Sequence, residues 1–151
     1  MDGDTFLMNN TSNLYIRPAE SSDAAHIVRL IHQMGPDSEL TEDYVLHYLS
    51  GTERSILVAC LDEEVAGLLS YSVRADLYHA GTCVLIEELV VDMGVRGQGI
   101  GGALMEALLK KAEGLECREL SLAVMPDNEA AIHLYKTHGL VEEALYLERH
   151  F

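Results

Sequence analysis

The sequence predicts a mixed α/β domain, with a central twisted mixed sheet of about six to seven strands flanked by about four helices. Three observations carry that prediction. Apolar residues recur at helical spacing at Ile27, Leu30, Ile31 and Met34, and again at Ile100, Leu104, Ala107 and Leu108. Short apolar runs with turn residues between them fill the stretch from Ser55 to Val91. The last of these runs passes through a glycine-rich turn straight into the second helical segment, making a strand-loop-helix unit. With 151 residues, 48% of them hydrophobic, the chain suffices for one domain with a sizeable core and is too short for two ordinary ones.

In order, Met1 to Thr11 is polar, and residues 1–12 read as a flexible tail ahead of a domain spanning 13–151. Leu14 to Arg17 is a short strand closed by Pro18, after which Ser21, Ser22 and Asp23 offer N-caps for a first helix that ends near Gly35-Pro36. Thr41 caps a second helix with Tyr44, Val45, Tyr48 and Leu49 facing inward. Ile56 to Leu61 and Val65 to Val73, joined by Asp62-Glu63-Glu64, form a hairpin. Cys83 to Val91 is apolar on both alternating faces, as a central strand covered on both sides requires. Glu119 to Val124 is a further strand, Pro126-Asp127 introduces a helix from about Asn128 to His138, and Gly139 ends it. Leu140 to Phe151 reads as a last strand pair or one bent strand.

Ten Lys and Arg against 25 Asp and Glu give a formal charge of −15. Such a surface repels nucleic-acid phosphates and anionic lipid and favours cationic partners. Cys60, Cys83 and Cys117 are few, odd in number and widely spaced, which argues against a disulfide scaffold and points to a reducing, cytoplasmic setting. No stretch has the length of a membrane span, and the seven histidines show no metal-ligand spacing, so neither membrane nor metal is expected.

The glycine turn holds Gly97, Gly99, Gly101 and Gly102 within six residues. Small residues let a ligand approach the backbone, and the first helical amides are unpaired, so the junction is a cradle for an anion. Gly97-x-Gly99-x-x-Gly102 alone also fits a dinucleotide-binding fingerprint, but too little chain follows for the second half of such a fold. No Lys-Ser or Lys-Thr follows the glycines, which excludes the phosphate loop of nucleotide hydrolases.

Arg96-x-x-Gly99-x-Gly101, preceded by Leu89-Val90-Val91 and followed by a helix, resembles the acyl-CoA signature of the GCN5-related N-acetyltransferases (GNAT). The resemblance continues through Leu120 to Val124, Asn128, Ala131, Tyr135 and Gly139-Leu140, with Leu140 standing where family members commonly carry Phe. It implies a GNAT-like fold and acetyl-CoA as cosubstrate. It also implies that the amides of Val95, Arg96, Gly97, Gln98, Gly99, Ile100 and Gly101, running on to Gly102, hold the pyrophosphate. The pantetheine arm would lie along Leu89, Val90 and Val91, splayed from the next strand, with Ala131 beside the cofactor arm and Asn128 either bonding to that arm or holding the helix start.

Glu87 and Glu88 interrupt an otherwise apolar strand. A carboxylate there is costly unless paired, and partial burial makes a carboxylate more basic, as a general base for an ammonium substrate requires. Neighbours on a regular strand point to opposite faces, so only one of the two is expected to face the thioester. The resemblance favours Glu87, nine residues before Arg96, as the base, with Glu88 as a positioning carboxylate. It makes Tyr135 the acid that protonates the departing thiolate, a role that suits a phenol.

The resulting expectation is direct acetyl transfer to a primary amine, most simply that of a small, cationic molecule. A protein N-terminus or lysine as acceptor, and a non-catalytic acyl-CoA-binding module, are the alternatives. The acceptor should lie between the first two helices, the loop from Arg74 to Gly81 and the C-terminal strands, with Tyr71, Asp76, Tyr78 and His79 as polar candidates. The C-terminal strands could also pair across a homodimer.

Overall fold

In the computed structural model, which describes residues 6–7, 13–52 and 54–151, six strands form one sheet in the order in which they occur in the chain. They are β1 (Phe6–Leu7), β2 (Leu14–Pro18), β3 (Arg54–Leu61), β4 (Glu64–Asp76), β5 (Gly81–Val91) and β6 (Glu119–Leu122). The helices are α1 (Ala24–Met34), α2 (Glu42–Leu49), α3 (Ile100–Gly114) and α4 (Glu129–Thr137). Every neighbouring pair is antiparallel except β5 and β6, which run parallel and are connected through α3. Phe6–Leu7 falls in the segment expected to be a tail and pairs with Tyr15 and Ile16; the other residues of 1–12 lie outside the described residues.

Alternation along the strands divides the core in two. Leu57, Ala59, Leu69, Tyr71, Val84 and Ile86 face α3, where they meet Ile100, Leu104, Met105 and Leu108. Ile56, Val58, Leu68 and Val90 face the other way, onto Ile27 and Leu30 of α1 and Val45 of α2. The central strands are therefore buried on both faces, as their continuous apolar character requires. The β3–β4 turn is tight because Asp62 and Glu63 both adopt positive φ, at 49° and 71°, the backbone of a two-residue hairpin loop.

The ends of the helices follow their sequence signals. Thr41 accepts a hydrogen bond from the Tyr44 amide at 3.2 Å to cap α2, and Asn128 accepts from Ala131 at the same distance to cap α4. Gly139, at φ 89°, closes α4: its amide reaches the Lys136 carbonyl and that of Leu140 reaches the Tyr135 carbonyl, the paired bonds of a Schellman ending. The chain beyond departs from expectation. Residues 140–151 form no strand, and Val141, Leu145, Tyr146, Leu147 and Phe151 are exposed. A strand exists only where a neighbour takes up its backbone groups, and this segment pairs with none among the described residues.

At the entry to α1, Asp23 is buried and receives both guanidinium nitrogens of Arg17, at 2.7 and 2.9 Å, and the Glu20 amide at 2.7 Å. Burial alone would raise the Asp23 carboxyl; the Arg17 pair and the Glu20 amide overcome it and hold the carboxyl below the usual carboxylate range. This contribution to stability is present above the pKa of an unfolded aspartate, about 3.9, and is lost as the pH falls through the lower folded value. Asp23→Ala leaves Arg17 without its partner and should destabilise the fold by about 3 kcal/mol at neutral pH in urea unfolding. The gap between variant and parent should close below about pH 4.

Candidate active site

The parallel ladder between β5 and β6 is short. It runs from Cys83 opposite Glu119 to Ile86 opposite Leu122 and stops there. β5 continues to Val91 without a neighbour on that side, while the other chain leaves Leu122 without regular structure. The unpaired edge carries Leu89, Val90 and Val91, which supply main chain that an extended arm could follow.

β5 leads through Asp92 and a single 3₁₀ turn into the glycine loop and α3. Gly97 and Gly99 take φ values of 80° and 78°, the left-handed region that disfavours any side chain. The first bond into the helix runs from the Ala103 amide to the Gly99 carbonyl at 3.0 Å, so the amides of Ile100, Gly101 and Gly102 precede the intrahelical ladder. They point out of the positive end of a 15-residue helix. Gly101 has a different reason to be glycine: a Cβ would come within 3.1 Å of Leu134 on α4. Arg96 turns back and donates from Nε to the Val91 carbonyl at 3.3 Å, tying loop to strand.

Sequence reasoning missed how this loop is anchored. The Asp92 carboxylate accepts from Arg29 of α1 at 2.7 Å, from Gln33 at 3.4 Å and from the Gly94 amide at 3.0 Å. Arg29, then the Gly94 amide, hold the Asp92 carboxyl below its ordinary range. Gln33 also accepts from the Met93 amide at 3.1 Å. Polar residues at positions 29 and 33, one helical turn apart and so on one face of the helix, were the available signal.

The two carboxylates do not alternate. Between Ser70 and Tyr71 the β4–β5 register shifts, so that Ser70 pairs with Glu88 and Tyr71 with Ile86, leaving Glu87 as the extra residue of a bulge. Ser70 donates its hydroxyl to the Glu88 carboxylate and accepts from the Glu88 amide at 3.0 Å. Ser72 donates to Glu87 at 3.0 Å. Ser70 and Ser72 are two apart on β4 and share a face, so both glutamates lie on the α1–α2 side of the sheet. The expectation that only one could face the site fails because the bulge breaks the period on which it rested. The serines were legible as two polar residues in register on an apolar strand.

On that side, a cavity of about 170 Å³ opens between α1, α2 and the sheet, with Glu88, Ser70 and Tyr48 among its walls. The Tyr48 hydroxyl is buried and makes no hydrogen bond. Burial, then Glu88 and Glu87, push its pKa up to about 12. The other polar candidates lie elsewhere. Tyr71 is buried in the core facing α3, Tyr78 is 91% exposed, and Asp76 and His79 sit at the tip of β4–β5. Six residues of strand, about 20 Å, separate that tip from Ser70. There His79 lies 2.6 Å from Asp76 and 3.3 Å from Glu119, and Asp76, His79 and Cys83 place potential ligand atoms within 4.8 Å of one another. The Asp76 carboxylate also accepts from the His79 amide at 2.9 Å, which helps close the hairpin tip.

Tyr135 is half-buried on α4 against the core that includes α3, and burial pushes its hydroxyl pKa up. On the same helix Leu134 and His138 lie over Gly101 and Gly102, which sets α4 beside the cradle. Asn128 spends its side chain on the helix start, one of the two roles expected of it.

A strand edge left open beside a glycine-rich helix start suits a long ligand that carries phosphates. The acetyltransferase (GNAT) family model matches residues 21–140, and the chain belongs to that family; it is an acyltransferase that uses acetyl-CoA. It is 28% identical over 141 residues to the aminoglycoside N(6')-acetyltransferase type 1 of Klebsiella aerogenes, with 88% of this chain and 93% of that one covered. It is 24% identical over 143 residues to the thialysine N-epsilon-acetyltransferase of Sus scrofa, covering 85% and 84%. A crystal structure of a Trypanosoma brucei acetyltransferase superposes with a TM-score of 0.80 at 19% identity, covering 92% of this chain and all of that one, and shows the shared fold.

Gly99→Ala should leave the fold intact by circular dichroism and weaken acetyl-CoA binding by about tenfold in calorimetry. Returning an alanine to the left-handed region costs about 1–2 kcal/mol, and 1.4 kcal/mol is tenfold in affinity.

Proposed function

We propose that the protein acetylates the primary amine of a small molecule, with Glu87 as general base, Glu88 as the carboxylate that positions the amine and Tyr135 as general acid. The observation that carries this reading is the bulge, which sets both carboxylates on the face of the cavity and at the strand edge that leads to the cradle. The relatives support the acceptor class: the two named above act on thialysine and aminoglycosides, and a third, 27% identical over 135 residues, is the L-2,4-diaminobutyric acid acetyltransferase of Chromohalobacter salexigens.

The amides of Val95 to Gly102 take the pyrophosphate and the edge of Leu89 to Val91 takes the pantetheine arm, leaving the acetyl group at the splay. The amine gives a proton to Glu87, and its lone pair attacks the acetyl carbonyl. Main-chain amides of the splayed edge hold the oxyanion, and the C–S bond breaks as Tyr135 protonates the thiolate. Tyr135 suits the donor's part because burial keeps it protonated.

The −15 charge draws a cation from solution and raises its encounter rate at low salt. No described helix is long and apolar enough to cross a membrane, and the thiols of Cys60, Cys83 and Cys117 are free, which accords with a cytoplasmic enzyme. The exposed apolar residues of 140–151 accord with a homodimer in which that segment meets a second copy. Light scattering should give twice the mass of one chain, and truncation after Leu140 should halve it.

The test of the chemistry is thiol release from acetyl-CoA over a panel of amines. Glu87→Gln and Tyr135→Phe should each lower kcat about 10²–10⁴-fold with acetyl-CoA binding unchanged. CoA binding without turnover of any amine would instead make this an acyl-CoA-binding module.

A further inference from the structure

The acceptor cavity has an unusual balance of chemistry. Ile27 and Ile31 of α1, Leu40, Val45 of α2, Ile56 of β3 and Leu68 of β4 make most of its wall. Glu88 is the one charged side chain among its lining residues. Glu88 sits at the same end as Ser70, its hydrogen-bond partner, and the Tyr48 hydroxyl, which is buried without one. Arg54 lies over the Tyr48 ring, 5.2 Å from its centroid, and holds the phenol from outside the lining.

Each feature restricts the ligand. A buried hydroxyl without a partner is costly, and the cost is relieved when a ligand atom reaches it. A primary ammonium carries three N–H donors, and Glu88 and the Tyr48 oxygen, both from lining residues, are acceptors for it. The rest of the molecule then enters an apolar space. An apolar cavity of about 150 Å³ accommodates a benzene ring, so about 170 Å³ accommodates an arm of about six carbons. A second ammonium held against these apolar walls would find no counter-charge among the lining residues beyond Glu88, which makes it costly.

We infer that the acceptor is a primary amine on a short apolar arm carrying no second charge within about six carbons, and that Tyr48 is the residue that recognises its ammonium. This rests on the amine-acetyltransferase reading above and narrows it: the acidic surface gathers cations of every kind, and the cavity selects those with one charge and a greasy tail. Tyr48 acts in binding, since its hydroxyl accepts from the substrate and takes no proton in the transfer.

The experiment compares hexylamine with 1,5-diaminopentane, equal in heavy atoms and different in that a terminal methyl becomes an ammonium. The kcat/KM for hexylamine should be at least 100-fold the larger. Tyr48→Phe should raise the KM for hexylamine about tenfold with kcat nearly unchanged and no loss of thermal stability, because the hydroxyl has no partner to lose in the free enzyme. Comparable turnover of the two amines, or a preference for the diamine, overturns the apolar-arm assignment and leaves the transferase standing. An unchanged KM in Tyr48→Phe, or a fall in stability without one in affinity, overturns the role of Tyr48. Calorimetric binding of acetyl-CoA without turnover of either amine, or of any other in a wider panel, overturns both this inference and the reading beneath it.

Discussion

The site depends on where one ladder of hydrogen bonds ends. β5 and β6 pair only as far as Ile86 and Leu122, and beyond that point β5 has no strand beside it on that edge. In a closed parallel sheet the groups of Leu89 to Val91 would belong to a neighbouring strand. Here the outward-pointing groups of Leu89 and Val91 meet no strand, and the Val91 carbonyl accepts from Arg96 instead. The bulge at Glu87 falls immediately beside the end of the ladder, so the strand changes its pairing on both edges within three residues. One edge of the strand is left open, and one face of it carries both carboxylates.

Much of this was legible in the sequence, for identifiable reasons. Gly97 and Gly99 were readable because positive φ leaves almost no other choice of residue, and the anion cradle follows from backbone geometry alone. The helices α1 to α4 were readable from apolar spacing and from caps such as Thr41 and Asn128, whose side chains make the bonds their positions foretold. The two glutamates stood out as charges on an apolar strand, but their shared direction did not. A bulge is a property of two paired strands, and a single strand read alone supplies only a period of two. Tyr71 misled for a related reason: a tyrosine on a strand has equal claims on both faces, and the register assigns it to the core. The segment 140–151 was apolar enough to suggest strands, yet apolar residues do not make a ladder without a neighbour.

The polar residues around the cavity answer to the same register. Ser70 and Ser72 share one face of β4, and each meets one glutamate, so the bulge on β5 is matched by a pair of hydroxyls on its neighbour. A bare carboxylate pair on one face would repel itself, and hydrogen bonds to each carboxylate reduce that repulsion while leaving lone pairs free for a substrate. Tyr48 arrives from α2 on the opposite wall, and its phenol, kept protonated by burial and by those acids, offers oxygen lone pairs to an ammonium that comes between them.

Helix α1 joins the two halves of the site. Leu30 is fully buried against the sheet, and on one flank of it Ile27 and Ile31 line the cavity. On the other flank Arg29 and Gln33, two residues out of phase with those isoleucines, reach Asp92 and Met93 at the mouth of the glycine loop. A helix is stiff over this length, and Leu30 is packed tightly enough that it cannot roll without opening the core. The wall of the acceptor cavity and the anchor of the anion cradle are therefore held at a fixed distance by a single element, through contacts that no residue of the cradle itself provides. In the proposed transfer that rigidity has a chemical use: an amine and a thioester held at opposite ends of one rigid frame meet at a set separation, the orientation that makes a bimolecular step effectively unimolecular.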